Sequence, residues 1–150
     1  AKVEEYLVDG KMKKLLVHRK GATRALGPGN PLIPKIYREE GQPVIIGGSM
    51  QTGSYLLSGT KGAEEETFGS TCHGSGRTMS RNEAKRKWRG EQLQKDMETS
   101  GIYVKTVSFS GLAEEAGGAY KDVDEVIMAA EKAGISKRIC KLIPIGNVKG

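Results

Sequence analysis

Aromatic residues are scarce in this 150-residue chain: one Trp, five Tyr and two Phe. That argues against a protein that grips bases by stacking them on rows of exposed rings. Cysteine and histidine are rarer still, with two of each. Cys72 and Cys140 cannot form a disulfide framework, and no Cys-x-x-Cys pair suggests zinc. His18 and His73 alone cannot build a three-histidine metal site. Cys72 and His73 are adjacent, but neighbours on an extended chain point apart, so Cys72 reads as a small buried residue. No window approaches the ~18 consecutive apolar residues of a membrane helix. The opening, Ala1-Lys2-Val3-Glu4-Glu5, lacks the apolar stretch of a signal peptide. We therefore expect a reducing, cytoplasmic compartment and no membrane association.

Glycine is what the chain has in excess, 21 residues against a background of about 7%. The glycines follow no fixed period, which excludes collagen and simple linkers. Lys plus Arg is 24 and Asp plus Glu is 18, giving a net charge of +6. A pI near 9.3 admits nucleic acid or phosphorylated ligands as partners. A chain this long is one domain's worth and can bury a sizeable core.

The opening reads as a β-hairpin. Val3 to Val8 is strand-like, Asp9-Gly10 is a favoured tight-turn pair, and Lys13 to His18 continues through Leu15-Leu16-Val17. Residues 21–43 are loop-rich and hold Pro28, Pro31, Pro34 and Pro43. Val44-Ile45-Ile46 predicts a short buried strand ended by Gly47-Gly48, and Ser54 to Ser58 predicts a second. Ala63 to Phe68 predicts a short acidic helix. A long basic helix is expected from Ser80 to about Thr99, opened by the capping box Ser80-Arg81-Asn82-Glu83 and stopped by Gly101. Ile102 to Phe109 alternates as a strand, and Asp122 to Ala133 is amphipathic with Gly134 at its end. Arg138 to Val148 reads as a final strand pair. Strands and helices mix without a βαβ series, so the expected class is α+β in a complex mixed arrangement.

Chemistry concentrates in Gly69-Ser70-Thr71-Cys72-His73-Gly74-Ser75-Gly76-Arg77. Small neighbours let a ligand approach the backbone, and turns of Gly and Ser can aim N–H groups at an anion. Arg77 and Arg81 would face phosphate from nearby. Neutral imidazole attacks phosphorus well, and the P–N bond it forms is weak enough to pass the group on. The plainer reading of His73 is a loop histidine bonded locally. His18, between Leu15-Leu16-Val17 and Arg19-Lys20, reads as structural or solvent-facing. A second glycine-rich turn, Gly47 to Ser54, lacks the Gly-Lys-Ser/Thr ending of a Walker motif. It either lines a nucleotide pocket or is a tight turn between strands. Basic residues cluster at Lys11, Lys13, Lys14, Arg19, Lys20 and Arg24, and again at Arg77, Arg81, Lys85, Arg86, Lys87 and Arg89. Such runs are solvated faces or, flanking two glycine-rich loops, a polyanion groove.

The strings HRKGATRA at 18–25, GQPVIIGGSM at 41–50, EETFGSTCHGSGRTMSR at 65–81 and AYKDVDEV at 119–126, with Lys149-Gly150, strongly resemble the RtcB family of RNA-splicing ligases. The resemblance runs end to end and matches the C-terminal part of such a ligase. It implies an RtcB-like fold and the guanylylated, GMP-binding portion of an enzyme that uses GTP and manganese. That enzyme joins RNA with a 3′-phosphate or 2′,3′-cyclic phosphate to RNA with a 5′-hydroxyl, as between tRNA halves. His73 would be the nucleophile that carries GMP. Gly47, Gly48, Ser49, Met50 and Ser54 would line the GMP site. Gly74, Ser75 and Gly76 would hold its phosphate and ribose side, while Tyr120 and Lys149 would contact the guanine end. Lys20, Arg77 and Arg81 would meet RNA phosphate or triphosphate. A dication would neutralise the triphosphate, and glycine N–H groups with arginine would stabilise the α-phosphoryl oxygens. An archease-type activating protein is a further implied partner. The family's metal ligands precede the position where this sequence begins, so none is expected here. Ser75 stands where the family commonly has alanine. Two other classes stay open: a non-catalytic RNA- or nucleotide-binding module, and a phosphotransfer enzyme using His73 as a transient phosphohistidine.

Overall fold

The computed structural model describes residues 1–149; Gly150 lies outside the described residues. The chain divides into two compact units, each assembled from three stretches. The first takes Ala1–Ile46, Tyr55–Gly74 and Ile127–Cys140, and the second takes Gly47–Ser54, Ser75–Val126 and Lys141–Gly150. Because the stretches interleave, no boundary could be read along the sequence. Helices alternate with several small sheets, an α+β arrangement as expected.

In the first unit β1 (Lys2–Val8) pairs antiparallel with β2 (Lys11–Val17), and Val8 faces Lys11. Asp9 and Gly10 alone make the turn, with φ of 52° and 73°, the conformation an Asp-Gly pair favours. Strand alternation turns Glu4 and Tyr6 to one face, where Tyr6 is buried. Arg19 clamps Glu4 through two hydrogen bonds of 3.0 and 2.7 Å, and the Tyr6 hydroxyl donates to the same carboxylate at 2.8 Å. Arg19 also donates to the Ser70 hydroxyl and the Phe68 carbonyl. The loop-rich stretch contains β3 (Ala22–Arg24) and a 3₁₀ turn (Lys35–Tyr37), both too short to leave a periodic signal. β3 pairs antiparallel with β6 (Ser70–Cys72). Between them, α1 (Lys61–Thr67) starts on the Thr60 hydroxyl, which accepts from the Ala63 N–H. A three-stranded sheet has the order β4 (Pro43–Gly47), β5 (Ser54–Gly59), β8 (Ser136–Leu142).

The second unit is built around Leu93 and Met97 of α3 (Gly90–Thr99), Ile102, Val104 of β7 (Tyr103–Thr106), Leu112 of α4 (Phe109–Ala113), and Ala116. Met50 and Trp88 pack against this core. The expected long helix from Ser80 to Thr99 is two helices, α2 (Arg81–Lys87) and α3. Trp88 and Arg89 between them are extended, with φ of −121° and −101°. Tertiary packing outweighs helical propensity here. Gly90 lies so close to α4 that a Cβ on it would sit 2.1 Å from the Phe109 carbonyl oxygen. Only half of the capping box forms: the Ser80 hydroxyl accepts from the Glu83 N–H, while the Glu83 carboxylate pairs with Lys87. The strand expected to reach Phe109 stops at Thr106, because the Ser108 hydroxyl accepts from the Gly111 N–H and starts α4. The final strand pair is also corrected. β8 joins β5, whereas β9 (Gly146–Lys149) pairs parallel with β7, placing Lys149 opposite Thr106. Alternation marks a strand but not its neighbour. α5 (Val123–Lys132) ends before Gly134, as read from the sequence.

Candidate functional site

Tyr120 and Arg77 are set opposite each other by an antiparallel bridge. It is flanked by hydrogen bonds from Thr78 N–H to the Ala119 carbonyl and from Lys121 N–H to the Gly76 carbonyl, both 2.9 Å. The Arg77 guanidinium carbon lies 4.8 Å from the Tyr120 ring centroid. Its Nη1 donates to the Tyr120 hydroxyl at 3.0 Å, Nη2 to the Glu114 carbonyl at 2.6 Å, and Nε to the Met79 carbonyl at 3.1 Å. Arg77 is thus committed to holding the protein's own groups. Glu114 and Glu115 follow the last residue of α4. The Tyr120 hydroxyl donates to Glu115, and three cations surround that carboxylate: Arg81 at 3.6 Å, Lys149 at 3.7 Å and Arg77 at 3.8 Å. Those distances make ion pairs rather than hydrogen bonds. Lys85 pairs separately with Glu114 at 2.9 Å, which holds the Glu114 carboxyl below its usual range. The Tyr120 phenol is pushed up from its ordinary value, first by burial and then by its bond to Glu115. One carboxylate facing three cations leaves local positive charge. Arg81, its side chain 63% exposed against 20% for Arg77, is the more open arginine of this cluster.

The glycine-rich turn from Gly47 to Ser54 closes on itself. Gly48 N–H donates to the Gly53 carbonyl, Gly53 N–H to the Ser49 carbonyl, and Ser49 N–H to the Thr52 hydroxyl. The Ser49 hydroxyl accepts from the N–H groups of Gln51 and Thr52. Those donors are therefore not aimed at an anion. A Cβ on Gly48 would lie 2.5 Å from the Gly53 carbonyl oxygen, so the tight turn itself demands glycine. Gln51 accepts from the Gly117 N–H at 2.8 Å, which ties the turn to the segment leading into Tyr120. Met50 gives its side chain to the core and its carbonyl to Asn147. Ser75 N–H donates to the Gly47 carbonyl at 2.8 Å. The Ser75 hydroxyl is buried with no partner among the described residues, which costs about 1–3 kcal/mol until a polar group meets it.

His73 is exposed on the loop after β6, with its backbone N–H on the Gly21 carbonyl at 3.2 Å. Neither ring nitrogen has a hydrogen-bond partner among the described residues. Cys72 is a half-buried free thiol, pushed up by burial, which fits an inert packing residue. His18 and Lys20 are exposed. His73, Gly74 and Lys20 belong to the first unit; Gly47, Gly48, Ser49, Met50, Ser54, Ser75, Gly76, Arg77, Arg81, Tyr120 and Lys149 belong to the second. In the first unit a groove of about 1080 Å³ runs along the hairpin past Val3, Leu7, Met12 and Leu32, and none of these site residues lines it. Among the described residues no group of three or more His, Cys, Asp or Glu could hold a metal ion, and no helix is long and apolar enough to cross a membrane. Sequence reasoning missed Glu115. Nothing in its spacing marks it, because its partners are gathered only by the fold.

The profile of the family described as tRNA-splicing ligase RtcB matches residues 1–150. The chain belongs to the RtcB family. It is 56% identical over 149 residues to the tRNA-splicing ligase RtcB of Pyrococcus abyssi, covering 99% of this chain and 16% of that protein. The Archaeoglobus fulgidus relative is 58% identical over 150 residues, covering 100% of this chain and 31% of that protein. The Methanopyrus kandleri relative is 54% identical over 156 residues, covering 100% and 16%. The chain thus spans between about a sixth and a third of the length of these RtcB relatives.

Proposed function

We propose that this chain supplies the guanylate-binding and nucleophilic part of a GTP-dependent RNA ligase of the RtcB family. It would join 3′-phosphate or 2′,3′-cyclic phosphate ends to 5′-hydroxyl ends, as in tRNA splicing or RNA repair. One observation carries the reading: His73 is exposed within a Cys-His-Gly-Ser-Gly-Arg motif, in a chain that matches the family along its whole length.

In this reading an imidazole nitrogen of His73 attacks the α-phosphorus of GTP. A P–N bond forms, the α–β phosphoanhydride breaks, pyrophosphate leaves with the electron pair, and the ring gives up a proton. A 3′-phosphate oxygen of the RNA then attacks that phosphorus, breaking the P–N bond and releasing the imidazole. The 5′-hydroxyl attacks the activated 3′-phosphate, loses its proton, and GMP departs. A cyclic end is first opened by water to a 3′-phosphate. Tyr120 and Lys149 offer a ring face and N–H donors to the base. Ser49, Ser54 and the unpartnered Ser75 hydroxyl suit the ribose and phosphate side, with the backbone of Gly47, Gly48, Met50 and Gly76 of the same unit. Arg81 and Lys20 take RNA phosphate, and Arg77 supports Tyr120 from behind. Manganese, an archease-type activator and a cytoplasmic setting belong to the same reading. The described residues offer no metal ligand set, so the ligands of the manganese would lie outside this chain.

The test is intact mass after incubation with GTP and manganese, for the full-length polypeptide and for this chain, each with His73→Ala beside it. An acid-labile gain of one GMP in the full-length wild type, absent from the variant, supports the reading. No adduct in the full-length wild type overturns it in favour of a binding module. Label arriving from the γ-phosphate instead would point to a phosphohistidine.

A further inference from the structure

Resting on that reading, we propose that Glu115 is a positioning residue that holds the Tyr120 ring and the Lys149 ammonium where a guanine nucleotide meets them. Its carboxylate touches both residues expected at the base, through the Tyr120 hydroxyl and through Lys149 at 3.7 Å. It also faces Arg77, which braces the Tyr120 ring, and Arg81, the more exposed arginine of the cluster. No other described residue joins all four.

The end of the helix does not favour a carboxylate at this place. Glu115 lies just past the C-terminal end of α4, where exposed carbonyls disfavour negative charge. It is kept there, 14% exposed, by cations from elsewhere in the unit. The Tyr120 hydroxyl donates to Glu115 and accepts from Arg77, and those two bonds fix the ring. Arg77 covers one face, and the base is assigned to the other. Lys149 is held by charge at a distance too long for a hydrogen bond, so its N–H donors stay available to an acceptor on the base. Glu115 therefore acts through its neighbours and does not touch the reacting atoms.

The test uses the full-length polypeptide with Glu115→Gln, Tyr120→Phe and the double variant. For Glu115→Gln, KM for GTP in formation of the GMP–histidine adduct rises about tenfold, the size of one charge-assisted hydrogen bond, while kcat stays within about twofold. The double variant loses less than the product of the single losses, because one residue works through the other. Glu115→Asp, which keeps the charge but withdraws it, falls between. Unchanged KM in Glu115→Gln, or single effects that multiply, would overturn the proposal. A second readout is the ultraviolet titration of Tyr120, isolated by subtracting the Tyr120→Phe spectrum. Glu115 and Arg77 are the charged groups facing its hydroxyl, so Glu115→Gln should let Tyr120 ionise at lower pH than in the wild type. An unmoved titration overturns the hold on the ring. A wild type that forms no adduct overturns the ligase reading instead, and the titration still decides whether Glu115 holds Tyr120.

Discussion

Both units contain a glutamate met by an arginine and a tyrosine, and the two clusters differ in what else surrounds the carboxylate. In the first unit Arg19 forks onto Glu4 at 3.0 and 2.7 Å, Tyr6 donates to the same carboxylate, and the Glu4 and Arg19 side chains are 9% and 13% exposed. One positive charge meets one negative charge, and every contact is a hydrogen bond. In the second unit Arg77 and Tyr120 reach Glu115 in a similar triangle, but Arg81 and Lys149 stand around the same carboxylate at ion-pair distance. Balanced charge with short bonds makes a lock between hairpin and loop. Surplus positive charge at longer range is what the proposed nucleotide site would need.

That contrast predicts where mutation hits chemistry and where it hits folding. The largest effect should come from His73→Ala. GMP–histidine formation by the full-length protein should fall by more than about a thousandfold in a single-turnover assay, as when a nucleophile is removed. The side chain is exposed, so the thermal melt should stay within about 1 °C of wild type. Glu4→Ala should do the reverse. It strands Arg19 in a nearly buried site and should cost about 3 kcal/mol, or about 6–12 °C in Tm, without altering the GTP dependence of whatever adduct forms. A Glu4→Ala variant that melts like wild type would erase the distinction between lock and binding site.

The lock should also show in the pH dependence of stability. The hydrogen bonds from Arg19 hold the Glu4 carboxyl below its ordinary value of 4.5. A depressed carboxyl stabilises the fold above that value and loses the contribution as pH falls through the folded pKa. Melts of wild type and Glu4→Gln should therefore differ most near neutrality and draw together only as pH falls below 4.5 through the lowered folded pKa. Tyr6 limits the other end. Burial, with the bond to Glu4, pushes its phenol from 10.0 up to about 12. Its contribution is present below 10 and is lost as pH rises toward 12, so Tyr6→Phe should flatten the alkaline fall in stability.

Neither cluster was read from the sequence, but the hairpin that carries half of the first one was, for a physical reason. The hairpin carrying Glu4 and Tyr6 is local: Asp9-Gly10 sets the turn, the turn sets the register, and alternation turns both residues inward. Short elements and long helices fared worse, since β3 has three residues and the break at Trp88 follows from Gly90 meeting the Phe109 backbone. His73 stood out in the sequence because a motif carries it, and the structure leaves its side chain exposed. Glu115 did not stand out, because its importance arises only when β9 brings Lys149 alongside β7, α2 presents Arg81, and the Arg77–Tyr120 bridge closes.

The smallest effect concerns surface cations and carries the comparison to the level of single charges. On the hairpin Lys13 pairs with Asp9 at 3.0 Å and Lys14 with Glu5 at 3.8 Å. Among the described residues, Arg86 and Arg89 beside the break between α2 and α3 form no ion pair. A cation with a resident partner must give it up before it neutralises phosphate, whereas an unpaired arginine displaces only counterions. Arg86→Gln and Arg89→Gln should each lower the salt slope of RNA binding by about 1 and weaken affinity similarly for all sequences. Lys13→Gln and Lys14→Gln should change the slope by clearly less. Equal slopes for all four variants, measured by titrating RNA across a salt series, would show that resident ion pairs do not decide which cations meet the nucleic acid.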